Sequence, residues 1–201
     1  MVNLNIKKWT VFGLLTVSFT ACDLDVVPPS DISVESFWNT EKDALAAATG
    51  CYEGWYSMDE VIYFDCASDN SYNPFPWENW QVQATGYATA NDFGQNYMKY
   101  DKIVRCNNFL ANIDRPTMSE ETRSRLTAEV RFLRAWHYFL KVTLYGDVPL
   151  VTEVLDISNS NLPRTPKAEV EKFILDELTA IASLLPEKYT GGDIGRVTKG
   201  A

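Results

Sequence analysis

The sequence predicts an all-α fold with long irregular loops, and three observations support this prediction. Four segments carry apolar residues at helical spacing, bounded by capping residues, glycines or prolines. The range 148–154 is the only short strand candidate. A chain of 201 residues with 46% hydrophobic residues is long enough to bury a core of its own.

The first two predicted helices lie in the first half of the chain. The first begins after Thr40, a predicted N-cap, with Asp43 three residues on in a pattern close to a capping box. One face of this helix carries Ala44, Leu45, Ala48, Cys51, Tyr52 and Trp55. The second covers roughly 95–113 and ends before Pro116.

The third predicted helix runs from Glu120 to Tyr145, with Ser119 as its cap and Gly146 at its end. One apolar stripe contains Leu126, Val130, Leu133, His137, Leu140 and Leu144, and a second contains Phe132, Trp136, Phe139 and Thr143. Two stripes indicate a helix packed from both sides, as in a stack of helical pairs. We expect His137 to be a satisfied core residue. We expect Arg131 and Arg134 to pair with acids such as Glu129.

The fourth predicted helix begins at Thr165-Pro166, with Thr165 as cap and Pro166 at the first helical position. Its core stripe is Val170, Phe173, Ile174, Leu178, Ile181, Leu184 and Leu185, and Pro186 ends it. Thr198 resembles another cap, but no helix follows it. We therefore expect the sequence to be part of a longer chain.

The N-terminal residues are typical of an export signal. Lys7 and Lys8 precede a short apolar run that ends in small residues before Cys22. This pattern predicts a lipoprotein signal peptide at 1–21, lipidation of Cys22, and an extended tether at 22–38; an ordinary cleaved signal is the alternative. In an oxidising compartment thiols can pair. The remaining cysteines, Cys51, Cys66 and Cys106, allow either one disulfide and one buried thiol or three core cysteines.

A charge-poor aromatic stretch separates the first two predicted helices. From Asp43 to Met98 the chain has eight acids and neither lysine nor arginine, with many aromatic, Asn and Gln residues interleaved. Flat aromatic rings with short Asp, Asn and Gln side chains are suited to binding sugars. The predicted ligand-binding residues are Asp69, Asn73, Trp77 and Trp80. The alternative is that these aromatics form a satellite core for a long loop.

The residue inventory points away from most other function classes. A net charge of −9 argues against nucleic-acid binding, and one histidine with no CxxC pair gives no metal or redox signature. Asp65 and Asp69 are the nearest candidates for a glycosidase pair, but both are more typical of solvated or capping residues. We find no catalytic set, metal site or cofactor signature.

Four segments resemble the SusD/RagB family of Bacteroidetes lipoproteins. They are Cys22–Asp25 with the prolines after it, Glu35–Ala44, Ala128–Leu150, and Arg164–Pro186 with Gly195-Arg196. The resemblance implies stacked tetratricopeptide-like helical pairs in more than twice this length, so that 39–201 is an incomplete N-terminal helical domain. It implies a non-enzymatic protein that captures oligosaccharides, or peptides in some members. The expected location is the outer membrane, as the partner of a TonB-dependent, SusC-like transporter. A helical docking module with no ligand of its own is the rival reading.

Overall fold

The computed structural model describes residues 37–54, 58–75, 77, 80–89, 92, 98–156, 158 and 160–201. The predicted signal peptide and the lipidation site Cys22 lie outside these residues, and so does the predicted tether except for its last two positions. These parts of the domain assignment therefore stay predictions. Residues Trp38–Ala201 form one compact unit.

The regular secondary structure of the described residues is helical, which confirms the all-α prediction. The helices are α1 Glu41–Cys51, α2 Met58–Cys66, α3 Trp80–Thr85, α4 Asp101–Asn112, α5 Glu120–Tyr145 and α6 Lys167–Ile181, with a 3-10 turn at Gly191–Asp193. No strand occurs among the residues that the structure describes, and the strand candidate supplies only an isolated bridge between Val148 and Thr165.

The start of α1 confirms the predicted capping box. The Thr40 Oγ1 atom accepts a hydrogen bond from the Asp43 N–H, and Asp43 Oδ2 accepts one from the Thr40 N–H at 2.8 Å. The second predicted helix, roughly 95–113, corresponds to α4, which begins at Asp101. Residues 99–100 are not helical, contrary to the prediction, and 95–97 lie outside the described residues. Tyr100 precedes α4 in a non-helical conformation, with its hydroxyl donating to the Pro149 carbonyl at 2.8 Å.

Helix α5 is the centre of the fold and packs against α1, α4 and α6. Its predicted bounds are confirmed: the Ser119 Oγ atom accepts from the Thr122 N–H at 3.1 Å, and Gly146 ends the helix with φ 70°. A positive φ favours glycine because it has no Cβ. The contacts with three other helices agree with the predicted inner position of α5.

The second apolar stripe on α5 was predicted to be buried, and that prediction was wrong. Phe132 and Trp136 are half-buried, while Phe139 and Thr143 are exposed. The additional buried positions on α5 include polar residues, namely Glu129, Arg134, Tyr138 and Lys141. Apolar spacing could not reveal them, because a buried charge is tolerated only where its partners arrive from other parts of the chain.

Tyr138 links the helices to the loop after α5. It is fully buried, and its ring meets the Phe173 ring edge-on at 5.6 Å between centroids. Its hydroxyl donates to the Val151 carbonyl at 2.9 Å and accepts from the Val151 N–H at 2.7 Å. The surrounding core cluster is Ile103, Ala135, Tyr138, Val142, Val148, Val170 and Ile174.

The start of α6 differs from the prediction by one residue. Pro166, not Thr165, is the N-cap, and it offers no side-chain hydrogen bond. The backbone of Thr165 pairs with Val148 instead, and its Oγ1 atom accepts from the Leu150 N–H at 3.3 Å. Asp147 Oδ1 accepts from the Lys167 N–H at 2.9 Å. A carboxylate that is distant in sequence therefore caps this helix.

Candidate functional site

The candidate site lies in the segment between α1 and α4. We call the described residues of 58–92 the aromatic lobe, and α1, α4, α5 and α6 the frame. The segment was predicted to be a long loop, but it contains the short helices α2 and α3, which pack against each other. The residues immediately before the two helices, 57 and 79, lie outside the described residues.

Trp80 is the residue that joins the two lobe helices. Its ring stacks on Tyr63 with centroids 5.2 Å apart and planes 7° from parallel, and it meets Phe64 edge-on at 5.5 Å. Trp80 is half-buried. The geometry therefore favours the satellite-core interpretation for Trp80, with a packing role between α2 and α3.

Asn73 shapes the loop between the lobe helices. Its side chain is only 5% exposed, and its Oδ1 atom accepts from the Phe75 N–H at 2.9 Å, which forms a local turn. Its own backbone N–H donates to Gln81 Oε1 at 3.1 Å, which ties the loop to α3. Asn73 therefore stabilises the loop conformation, and its buried side chain is not accessible to a ligand.

Trp77 has the opposite character, since 74% of it is exposed. Its ring lies 5.1 Å from the Phe75 ring at a tilt of 39°, and Phe75 is itself 48% exposed. Asp69 is also exposed. Of the four predicted binding residues, Trp77 and Asp69 are therefore accessible from solvent, whereas Asn73 is buried and Trp80 is half-buried.

Two further exposed aromatics were not singled out from the sequence. Tyr72 and Tyr87 are 72% and 83% exposed. Tyr72 directly precedes the turn at Asn73, and no local sequence signal separates it from the aromatics that pack. Large aromatic side chains in such exposed positions are typical of binding surfaces.

The electrostatics of the lobe are one-sided. The segment from Asp43 to Met98 has acids but no basic residue. Among the described residues there is no group of three or more His, Cys, Asp or Glu side chains placed to hold a metal ion. Within the same residues, no helix has the length and apolar character needed to cross a membrane. The lobe therefore combines aromatic surface with negative charge.

The frame uses its charges differently, and the predicted pairing of Arg131 and Arg134 with Glu129 was wrong. Both arginines bind Glu177 of α6, with Arg131 Nη2 at 2.8 Å from Oε1 and Arg134 Nη2 at 2.9 Å from Oε2. Burial alone raises the pKa of Glu177, but hydrogen bonds from the two arginines outweigh it and hold that pKa below its usual value. The pair sets the packing of α6 on α5.

Glu129 has a second set of partners that sequence reasoning missed. The carboxylate is fully buried and accepts hydrogen bonds from the Tyr52 and Tyr189 hydroxyls at 2.9 and 2.7 Å. Arg125 and Arg196 each approach it at 2.9 Å. Burial, followed by the hydrogen bond to Glu129, raises the pKa of Tyr189 to about 12. This cluster fastens the C-terminal segment to α1 and α5.

His137 is buried, as predicted, but it is not fully satisfied. Only 7% of it is exposed, and its Nε2 atom has no hydrogen-bond partner in the described part of the chain. Burial, with a smaller contribution from the charges of Lys141 and Lys102, lowers its pKa to about 4. His137 is therefore neutral at pH 7.

The helical stack places the chain among all-α proteins of tetratricopeptide-like architecture. A family model for SusD-like proteins, described as starch-binding and associating with the outer membrane, matches residues 24–201. The chain belongs to this SusD-like family, as its sequence predicted.

Individual relatives agree with this family assignment. The SusD-like protein P25 of Formosa agariphila is 27% identical, in an alignment covering 98% of this chain and 41% of the relative. A crystal structure of a SusD-like protein from Bacteroides fragilis matches with a TM-score of 0.75 at 33% identity, covering 88% of this chain and 36% of that one. A SusD-like carbohydrate-binding protein from the same species matches with a TM-score of 0.71 at 31% identity, covering 82% and 36%. The chain thus spans about two-fifths of the length of these relatives.

Proposed function

We propose that this chain belongs to a cell-surface lipoprotein that captures oligosaccharides and delivers them to a TonB-dependent outer-membrane transporter. The observation that carries the proposal is the set of exposed aromatic side chains in the lobe, among them Trp77 beside Phe75, in a segment free of basic residues. The starch-binding description of the family and the carbohydrate-binding description of one relative support it.

The physical argument starts from the rings. A pyranose presents an apolar face of C–H groups, which packs on a flat aromatic ring, and the exposed faces of Trp77, Tyr72 and Tyr87 can provide such platforms. Asp69 is close in sequence and can accept hydrogen bonds from sugar hydroxyls. The acidity of the segment disfavours polyanionic ligands, so that neutral glycans are the expected class.

The proposed location rests on the N-terminal pattern. Acylation of Cys22 would place the helical domain at the outer membrane without a spanning helix, because buried acyl methylenes provide the attachment. The family description associates its members with that membrane. Replacing Cys22 by Ala should release the exported protein from the membrane fraction into the soluble fraction. Retention of the Cys22→Ala variant in the membrane would contradict lipid anchoring at this residue.

The ligand is tested by isothermal titration of the whole protein against a panel of maltooligosaccharides, other neutral oligosaccharides and short peptides. We expect binding of at least one neutral oligosaccharide, and we expect no new reducing ends after prolonged incubation, because we propose capture without cleavage. Binding of peptides alone would favour the peptide-binding interpretation. A folded protein that binds nothing but still co-purifies with the transporter would be a docking module.

A further inference from the structure

Two cysteines lie on the two frame helices that come directly before and after the aromatic lobe in the sequence. Cys51 is the last residue of α1 and is 2% exposed, and Cys106 lies within α4 and is fully buried. These two helices pack against each other. The chain between the two cysteines contains the whole aromatic lobe. A link between them would therefore close a covalent loop that contains the lobe.

The two thiols are already in contact. They form a hydrogen-bonded pair, which lowers the pKa of the Cys51 thiol against the opposing effect of burial. The same contact, followed by burial, raises the pKa of Cys106. The flanking residues fix this arrangement, because Arg105 Nη1 donates to the Gly50 carbonyl at 2.7 Å and the same guanidinium pairs with Glu53. Contacts on both sides of the thiols thus hold α1 and α4 in register.

The third cysteine has a separate environment. Cys66 ends α2 in the lobe and is 4% exposed, and its Sγ atom lies 3.5 Å from Ser71 Oγ. Cys51 and Cys106 are therefore neighbours, whereas Cys66 is buried elsewhere, within the lobe.

We propose that Cys51 and Cys106 form a disulfide after the chain is exported. The inference rests on the proposed function only in placing the protein outside the reducing cytoplasm. The oxidant is a disulfide of the compartment, carried by a small molecule or an oxidoreductase. One thiolate attacks that disulfide, releases one thiol and forms a mixed disulfide; the second thiolate then displaces the remaining thiol. Two protein thiols lose two electrons and two protons, and the oxidant's disulfide becomes two thiols.

The exchange belongs to the folding stage, because both cysteines are buried once the frame is packed. The folded frame then protects the bond from reduction. Closing a loop of this length restricts the unfolded chain, and the expected rise in Tm is on the order of 5–15 °C. The lobe would keep its position on the frame even when local contacts open.

The test refolds the whole protein with oxidised or reduced glutathione and maps its peptides without reduction. A Cys66→Ala background simplifies the map, since Cys51 and Cys106 then fall on different tryptic peptides with no other cysteine on either. Wild-type protein cut additionally at Asp59 serves as a second measurement in case Cys66→Ala fails to fold. We expect one linked peptide pair after oxidised refolding, and a higher Tm that Cys51→Ala and Cys106→Ala both abolish.

Full alkylation of both cysteines in a natively helical, oxidised sample would overturn the proposal, and so would a link from either one to Cys66. Oligosaccharide titration of the same samples separates the two claims. A protein with the Cys51–Cys106 link that binds no glycan would contradict the proposed function but would support the disulfide proposal. A glycan-binding protein with both thiols free speaks against the disulfide alone.

Discussion

The frame and the aromatic lobe use similar residues in opposite ways. In the frame, Tyr138 is fully buried, and Glu129 is a buried carboxylate surrounded by arginine and tyrosine side chains. In the lobe, Trp77 and Tyr72 are about three-quarters exposed, and α3 buries no residue. The frame packs its aromatic and charged groups against other side chains, whereas the lobe leaves comparable groups exposed to solvent. Residue type alone therefore does not tell a packed side chain from an accessible one.

The difference predicts that substitutions in the frame reduce stability and substitutions in the lobe reduce binding. The largest effect is expected for Glu129→Gln. It removes a buried negative charge and leaves Arg125 and Arg196 without their main counter-ion, at a cost of about 3–5 kcal/mol in the free energy of unfolding. Urea unfolding measures this change. Glu121→Gln on the exposed side of α5 is the matched control and should change stability by less than about 0.5 kcal/mol. Equal stabilities for the two variants would contradict the account.

The next effect is a pH dependence located in the frame. The folded-state pKa of His137 is about 4, below its unfolded value of about 6.5, so the unfolded chain binds the proton first as the pH falls. Stability is therefore lost between pH 6.5 and 4, by about 2–3 kcal/mol. Lys141, Lys102 and Asp101 are the charged groups whose fields act on this histidine. The His137→Gln variant should lose less stability over this range than the wild type, as shown by urea midpoints at each pH. Parallel pH profiles for the two proteins would rule out His137 as the cause.

A smaller effect is expected where the lobe has its own packing. Trp80→Ala removes the ring that stacks on Tyr63 and meets Phe64, which should increase hydrogen exchange in α2 and α3 by about 10-fold or more. Exchange in α5 should not change, because the loss is local. Trp80→Phe keeps an aromatic ring and should restore most of the protection. Faster exchange throughout the frame would show that the two regions unfold together.

The sequence predicted the frame well because its helices carry local signals. The capping box at Thr40, the Ser119 cap and Gly146 are each readable within a few residues. The errors arose where distant residues decide the outcome. Asp147 caps α6 from the preceding loop, and Glu129 and Glu177 take partners far away in sequence.

The lobe was less predictable for a related reason. Composition identified an acidic, aromatic segment, but it could not tell a ring that packs from a ring that is displayed. Trp80 and Trp77 stand close together in sequence, yet one stacks between two helices and the other is 74% exposed. That difference depends on the turn at Asn73 and the helix that follows it, which short-range periodicity does not specify.

The most direct test of this account compares Trp77→Ala with Phe139→Ala in the whole protein. Both rings are exposed, but one is in the lobe and the other on the frame helix α5. For an oligosaccharide that the wild type binds, Trp77→Ala should weaken binding by about 10-fold and Phe139→Ala by less than twofold. The unfolding free energy should stay within about 0.5 kcal/mol of the wild type for Trp77→Ala and within about 1–2 kcal/mol for Phe139→Ala, whose ring packs on Trp136. Unchanged affinity in a folded Trp77→Ala protein would contradict the assignment of ligand binding to the aromatic lobe.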